Sequence, residues 1–580
     1  MFKLAIFLKN YKLECLLGPV FKLFEAILEL LLPTMMVFVI NNGVAKQDWE
    51  YVLRMGGWML AMSVLGFGCS MVCQYFAARA SQGFGTIVRN TVFRHISSLS
   101  HAELDSFGTS SLSNRLINDI NQLQLAVAML IRLVVRTPFI CLGAVAMAMM
   151  LDLQLSLLLW GAMPVFVLIL WLIVRRSSVL YRFYQKRLDK IAAVLRENLS
   201  GVRVIRAFAT KEREKKRFFA VNNELTENAL AIGRVSALLN PLTTFVMNAV
   251  IVLILWQGSN HIDAGRLARG EIIAYTNYIT QILLALIVIS NLVVIFTKAA
   301  ASAERINQVL ATKPSLTENL PAAEADFSGQ KTTDLLCCRG ISFRYSESGD
   351  MALSDITFSA ERGETIGIIG GTGAGKTTLI NLLPRFYDVS TGAVLVEGRD
   401  VRQWPVASLR EKFGIVPQAA LLFSGSIEEN ICWGAPEASL ADIKRAAAIA
   451  QAAEFIEKLP DGYQTKVERG GLNFSGGQRQ RLTIARALVK KPDILILDDS
   501  SSALDFATDA ALRRGLRDCA RDMTVFMVSQ RASSLQQADK ILVLNDGELV
   551  GCGTHEQLFA SCEPYREICL SQLSEEEAKA

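Results

Sequence analysis

Six stretches in the first half of the chain stay apolar for roughly 20 residues, the length an α-helix needs to cross ~30 Å of hydrocarbon. They run from Leu16 to Ile40, Val52 to Phe76, Ala126 to Leu151, Leu153 to Val174, Leu238 to Trp256 and Ile272 to Phe296. Six membrane-spanning helices are therefore expected, in a domain covering residues 1–310. Between the second and third spans, and between the fourth and fifth, the segments Arg79 to Gln124 and Arg175 to Ala237 are rich in charge. They still repeat apolar residues at helical intervals, as at Leu180, Phe183, Leu188, Ile191, Leu195 and Leu199, so the helices are predicted to continue far beyond the membrane. Their turning points, His101 to Phe107 and Glu197 to Phe208, are suited to dock on a following domain. After Ile306 the pattern loosens into a polar linker, 311–333. From 334 to 572 short apolar runs (Ile341 to Tyr345, Thr365 to Ile369, Ala393 to Val396, Ile494 to Leu497, Thr524 to Val528, Ile541 to Leu544) alternate with helical patterns. That alternation predicts an α/β domain around a largely parallel sheet. A polar tail, 573–580, closes the chain.

Composition agrees with a chain that lives half in lipid: of 580 residues 51% are hydrophobic and only 20% charged, too apolar for a wholly soluble protein. Lys and Arg decide the orientation. Lys3, Lys9 and Lys12 precede the first span, Arg79, Arg89, Arg94 and Arg115 follow the second, and Arg175, Arg176, Arg182 and the run Lys211 to Arg217 follow the fourth. The opposite connections are short and carry only Lys46, Arg266 and Arg269. Both termini and the second domain are thus expected on the cytosolic side of a cell (plasma or inner) membrane. Lys22, Glu25 and Glu29 interrupt the first apolar run and no small-residue cleavage site follows it, so the run reads as a retained helix and not a removed signal. The 11 cysteines avoid the outward connections, which argues against disulfides. No nucleic-acid partner is expected.

The chemistry enters at Gly370-Gly371-Thr372-Gly373-Ala374-Gly375-Lys376-Thr377-Thr378, a P-loop pattern between an apolar strand and a helix. Its glycines let backbone N–H groups curl around phosphates, Lys376 is placed for the β/γ oxygens and the Thr377 hydroxyl for Mg²⁺. ATP and Mg²⁺ are the expected ligands.

With these motifs in order, the second half resembles the nucleotide-binding domain of an ATP-binding cassette (ABC) transporter. The whole chain resembles an exporter-type half-transporter: an all-α six-helix transmembrane domain followed by an α/β P-loop ATPase domain. The resemblance implies that Tyr345 stacks on adenine, that Gln418 in Val416-Pro417-Gln418 touches Mg²⁺ and the attacking water, and that Asp498 at the end of Ile494-Leu495-Ile496-Leu497 holds Mg²⁺. It also implies that Asn473-Phe474-Ser475-Gly476-Gly477-Gln478 is the family signature, with Phe474 where leucine is usual. In the family this segment serves the ATP of a second subunit, because two domains sandwich two nucleotides head to tail. A second half-transporter is therefore an implied partner, beside the lipid bilayer.

Two positions depart from the family pattern. Asp499 stands where a glutamate usually polarises the attacking water, one methylene shorter, and Gln530 replaces the usual histidine. A base must reach within ~2.6 to 3.2 Å of its target, and glutamine neither titrates nor becomes cationic. Together these changes predict a site that holds ATP and hydrolyses it slowly, as in the degenerate-site subunit of a heterodimeric multidrug-type exporter. The alternatives are a homodimeric exporter with weak ATPase activity, or an ATP-gated channel or sensor.

The cargo is less legible. Lys22, Glu25 and Glu29 share a face of the first span, as Arg132 and Arg136 share one of the third. They line an inward-facing chamber, or else form an internal ion-pair network or headgroup contacts. Asn277, Gln281 and Asn291 in the sixth span, with Tyr275 and Tyr278 nearby, suit a small amphipathic substrate.

Overall fold

The computed structural model describes residues 2–263, 267–316, 334–346, 349–519 and 523–573. Most of the expected linker (317–333), nearly all of the tail (574–580) and Arg266 lie outside the described residues. Two compact units emerge: Met1–Ser98 with Phe107–Lys313, and Leu99–Ser106 with Pro314–Ala580.

In the first unit, six helices are long and apolar enough to cross a membrane: Lys3–Val44, Trp49–Ser98, Thr109–Leu151, Leu153–Ser200, Lys211–Asp263 and Arg269–Ala311. The second of them holds 50 residues, which at 1.5 Å per residue is about 75 Å, more than twice the hydrocarbon thickness. The charged stretches that kept a helical period are these overhanging lengths. Large apolar side chains such as Trp58, Leu60 and Phe67 stay exposed, as suits helices whose outer solvent is lipid. Small residues let the helices close up: a Cβ on Gly143 would meet Leu30 Cδ1 at 2.5 Å. Three π-helical turns, Val39–Val44, Arg115–Asp119 and Leu130–Val134, interrupt the first and third spans.

Tyr275 and Tyr278 do not line a chamber. Both are fully buried, because a phenol inside a bundle must find a partner. Tyr278 Oη lies 3.1 Å from Leu30 O and 2.8 Å from Thr34 Oγ1. Tyr275 Oη lies 2.7 Å from both Ala148 O and Asp152 O. Asn277 remains exposed and donates to Ile273 O, and the buried Oε1 of Gln281 has no partner among the described residues.

Asp152 separates the third and fourth spans and ties their ends to the fifth and sixth. Its backbone N donates to Tyr275 Oη (3.1 Å), its carboxylate caps the fourth helix by accepting from Leu155 N (2.9 Å), and its other oxygen sits 3.1 Å from His261 Nδ1. Burial would raise its pKa, but the Leu155 and His261 contacts outweigh burial and hold it below its ordinary 3.8. A depressed carboxylate contributes stability above its unfolded pKa and loses it as pH falls through the folded value. Asp152→Ala is therefore expected to cost about 1 kcal/mol or more from the lost cap. Thermal unfolding in detergent would show the gap at neutral pH and its closure below the ordinary carboxylate range.

The second unit is built on strands β1 (Asp334–Phe343), β2 (Leu353–Glu361), β3 (Thr365–Gly370), β4 (Thr391–Val396), β5 (Arg399–Asp400), β6 (Phe413–Val416), β7 (Gly425–Ser426), β8 (Lys466–Val467), β9 (Ile494–Asp498), β10 (Thr524–Val528), β11 (Lys540–Asn545) and β12 (Glu548–Gly553). Six of them form one sheet in the order β12-β11-β3-β10-β9-β6, parallel except for β12. Its central strands read as unbroken apolar runs because both faces are covered: every residue of β9 and β10 is buried. An antiparallel sheet, β2-β1-β4-β5, packs beside it. The sequence pattern missed β2, β6 and β12, besides the two-residue strands β5, β7 and β8. The first carries Asp355 amid its apolar residues, the second has only four residues, and the third is a half-exposed edge.

Candidate nucleotide site

Strand β3 ends in the P-loop, and the loop's shape explains its glycines. Gly373 and Gly375 adopt φ of +86° and +94°, and a Cβ on Gly375 would sit 2.6 Å from Leu353 Cδ2 and 2.9 Å from Ala352 O. Only glycine fits there. The helix Lys376–Leu382 starts directly after it. A cavity of about 530 Å³ opens beside the loop, lined among others by Tyr345, Met351, Lys376, Thr377 and Asp546. Tyr345 is held there by Tyr387, edge-on at 5.4 Å, and by a 3.0 Å contact of its hydroxyl with Thr378 Oγ1.

Lys376 Nζ donates to Gly370 O (2.9 Å) and Gly371 O (2.6 Å). Burial lowers its pKa, while Asp499 and Asp498 pull the other way. An ammonium resting on two loop carbonyls is poised to exchange them for phosphate oxygens. The Thr377 hydroxyl lies 3.4 Å from both oxygens of Asp498. Among the described residues no group of three His, Cys, Asp or Glu forms a metal cage. One hydroxyl and one carboxylate fit Mg²⁺, which takes most of its ligands from water and phosphate.

Asp499 takes a left-handed φ of +45°, fixed by its N–H donating to Val528 O at 3.0 Å. Its Oδ2 stands 3.4 Å from Gln418 Nε2 and 3.4 Å from Gln530 Nε2. Burial pushes the pKa of both Asp498 and Asp499 up. The structure thus brings Lys376, Thr377, Gln418, Asp498, Asp499 and Gln530 together from β3, β6, β9 and β10. One carboxylate meets two amides, and no imidazole is among these groups.

The signature residues stand apart. Ser475 caps the helix Gly476–Leu488, with Ser475 N donating to Gln478 Oε1 (2.9 Å) and Gln478 N to Ser475 Oγ (3.3 Å). Phe474 is buried, 6.4 Å from Phe455, so its side chain belongs to the core. Among the described residues no hydrogen bond from this segment reaches the P-loop.

Sequence reasoning passed over one positioning group. Gln572 donates to Gln530 O (2.8 Å) and accepts from Ala532 N (2.9 Å), clamping the loop that carries Gln530. Nothing near Gln572 in the chain signals this; only folding does. The first helical turning point, which the sequence already marked as suited to dock on the following domain, packs within the second unit. Within the second unit His101 stacks on Phe386 at 4.4 Å, and Tyr387 Oη donates to Asp105 Oδ2 at 2.6 Å. Because Tyr387 also touches Tyr345, this tip is one side chain away from the nucleotide cavity. Burial, joined by the charge of Arg410, lowers the pKa of His101. The other tip, in the first unit, leaves Val204 and Phe208 exposed.

Comparison with known proteins points the same way. Residues 15–286 match the ABC transporter transmembrane region and residues 353–502 match the ABC transporter domain. An uncharacterized ABC transporter ATP-binding protein of Bacillus subtilis is 38% identical over 99% of both chains. An ATP-dependent lipid A-core flippase of Hahella chejuensis is 30% identical over 90% of this chain and 89% of its own. A bacterial Atm1-family ABC exporter, solved with ATP bound, superposes with a TM-score of 0.79 over 98% of this chain and 100% of its own, at 24% identity.

Proposed function

Since this chain belongs to the ABC transporter family, and is a multi-pass membrane protein with the exporter fold, we propose that it is the degenerate-site half of a heterodimeric exporter of small amphipathic molecules. The observation that carries this reading is the surroundings of Asp499. Its carboxylate is drawn back between two glutamine amides at 3.4 Å, where a water-polarising base and a titratable partner would be needed.

On this reading Tyr345 stacks on the adenine, a contact worth ~1 to 3 kcal/mol by analogy with base stacking. Loop N–H groups and Lys376 hold the phosphates, and Thr377 and Asp498 hold Mg²⁺, whose charge screens the phosphates from one another. Gln418 orients water, but Asp499 removes its proton poorly and Gln530 only donates a hydrogen bond. A missing base costs about 10² to 10⁴ in rate. ATP therefore stays bound here, while Ser475, Gly476, Gly477 and Gln478 complete the partner subunit's competent site. The nucleotide domain and both termini face the cytosol, where ATP is. Domain closure moves the tip at His101 and Asp105, and the spans turn outward.

The purified chain alone is expected to hydrolyse ATP slowly. Co-expression with a partner that carries glutamate and histidine at the two positions should restore brisk, cargo-stimulated hydrolysis and uptake into inverted vesicles. Fast turnover by the isolated chain defeats the proposal. A current that runs only down its gradient indicates a gated channel.

A further inference from the structure

The charges inside the first and third spans are not all neutralised by one another. Lys22 Nζ donates to both oxygens of Glu25 (2.8 and 2.6 Å) and to Ser70 Oγ of the second span (3.2 Å). Arg136 Nη2 donates to Glu29 Oε2 at 2.5 Å. Arg132 makes no ion pair or hydrogen bond among the described residues, and its Nε is shielded from solvent with no partner. Three cations thus face two carboxylates, and the guanidinium of Arg132 is the one left over.

Its position is built, not incidental. Arg132 lies in the π-helical turn Leu130–Val134, an irregularity frequent at functional sites. The turn is pressed onto the first span at Gly18, where a Cβ would meet Ile131 Cγ2 at 2.4 Å. Lys22 follows one helical turn later on the same span. Lys22 and Arg132 each lie about 9 Å into their apolar stretches, counted from Leu16 and Ala126 at 1.5 Å per residue. Successive spans alternate in direction, so by this count both residues fall at a similar depth, in the half of the membrane nearer the start of the chain. An unpaired cation at such a depth marks a path for ions or substrate.

We propose that Arg132, flanked by the Lys22–Glu25 and Arg136–Glu29 pairs, is the headgroup subsite for an acidic amphiphile, a phosphate or carboxylate on an alkyl chain. This deepens the export reading and rests on it. A guanidinium offers a planar fork that grips either oxyanion with two parallel hydrogen bonds. The two flanking pairs are already neutral, so the subsite is matched to one negative charge. The alkyl chain lies against the apolar faces of the first three spans.

The test is equilibrium binding, without nucleotide, to the full chain with its partner in neutral phosphatidylcholine nanodiscs. Radiolabelled dodecyl phosphate is compared with uncharged dodecanol. The phosphate is expected to bind about tenfold tighter or better, the scale of one charge-assisted contact of ~1.4 kcal/mol or more. Arg132→Gln should erase that preference, and Arg132→Lys should retain part of it, which guards against a merely misfolded variant. Phosphatidate in the disc competes if the cargo is a membrane lipid; if dodecyl phosphate binds without competition, the cargo is a free amphiphile, and either result supports the subsite. Equal binding of phosphate and alcohol overturns the proposal, as does a preference that survives Arg132→Gln. Both would follow if a carboxylate of the partner subunit already neutralises Arg132. Because no ATP is used, loss of transport with charge-selective binding intact sinks the export reading alone. Transport with no charge selectivity sinks only the subsite.

Discussion

ATP turnover by the purified chain is expected to rise about 10²-fold when Asp499→Glu is combined with Gln530→His, the lower end of what a positioned general base contributes. On the proposed reading Asp499 already points at the right place: its φ is +45°, its N–H donates to Val528 O, and Gln418 meets its carboxylate at 3.4 Å. What it lacks is reach. One added methylene extends the carboxylate by roughly a C–C bond length, ~1.5 Å, enough to turn a distant acceptor into a base in contact. The single changes are expected to give much less than the pair, because a base and the group that orients the phosphate act as a unit and their effects do not add. Steady-state hydrolysis of the four proteins (parent, two singles, double) measures the coupling. A parent as fast as the double variant would mean that Asp499 is an adequate base, and the division of labour between two subunits would fall with it. The clamp on Gln530 gives an internal control: Gln572→Ala frees the loop carrying residue 530 and should erode the gain in the double variant more than it changes the parent.

The six spans and the α/β domain were readable in the chain because each rests on a repeated signal. Twenty apolar residues in a row, or a buried strand such as Ile494 to Leu497, leave few alternatives to burial in lipid or in a covered sheet. The residues around the P-loop were readable for a different reason: backbone wrapped around phosphate demands glycine at fixed spacing, and the structure shows Gly375 with no room for a side chain. What could not be read was everything that depends on which faces meet. Tyr275 and Tyr278 looked like chamber lining by composition, yet each hydroxyl is spent on backbone of another helix. The five intramembrane charges fell on two faces by spacing alone. The π turn at Leu130–Val134 changes the helical phase that a 3.6-residue count assumes, so only the folded chain shows that Arg136 finds Glu29 and that Arg132 finds no partner among the described residues. Gln572 lies far along the chain from the loop it braces, and no local pattern betrays such a contact.

In the assembled pair, damage to this chain's signature should be far more costly than damage to its own P-loop. Ser475→Arg puts a bulky cation at the start of the helix Gly476–Leu488 and removes the cap in which Ser475 and Gln478 satisfy each other's backbone. On the proposed arrangement that surface closes the partner's competent site, so hydrolysis by the pair is expected to fall about 10²- to 10³-fold, the loss seen when a preorganised anion donor is removed. Lys376→Ala, by contrast, weakens a site that on the same proposal turns over slowly in any case. It should lower ATP retention on this chain, read by photolabelling with an azido-nucleotide, while hydrolysis falls only several-fold through looser closure. The ordering of the two effects is the informative quantity, because on the proposed arrangement the two residues serve different sites. In a symmetric dimer both variants would silence hydrolysis, since every site would contain one P-loop and one signature from identical chains. A pair in which Lys376→Ala silences hydrolysis as thoroughly as Ser475→Arg would place the working site on this chain after all, and Asp499 would then have to act as its base from the distance at which it now stands.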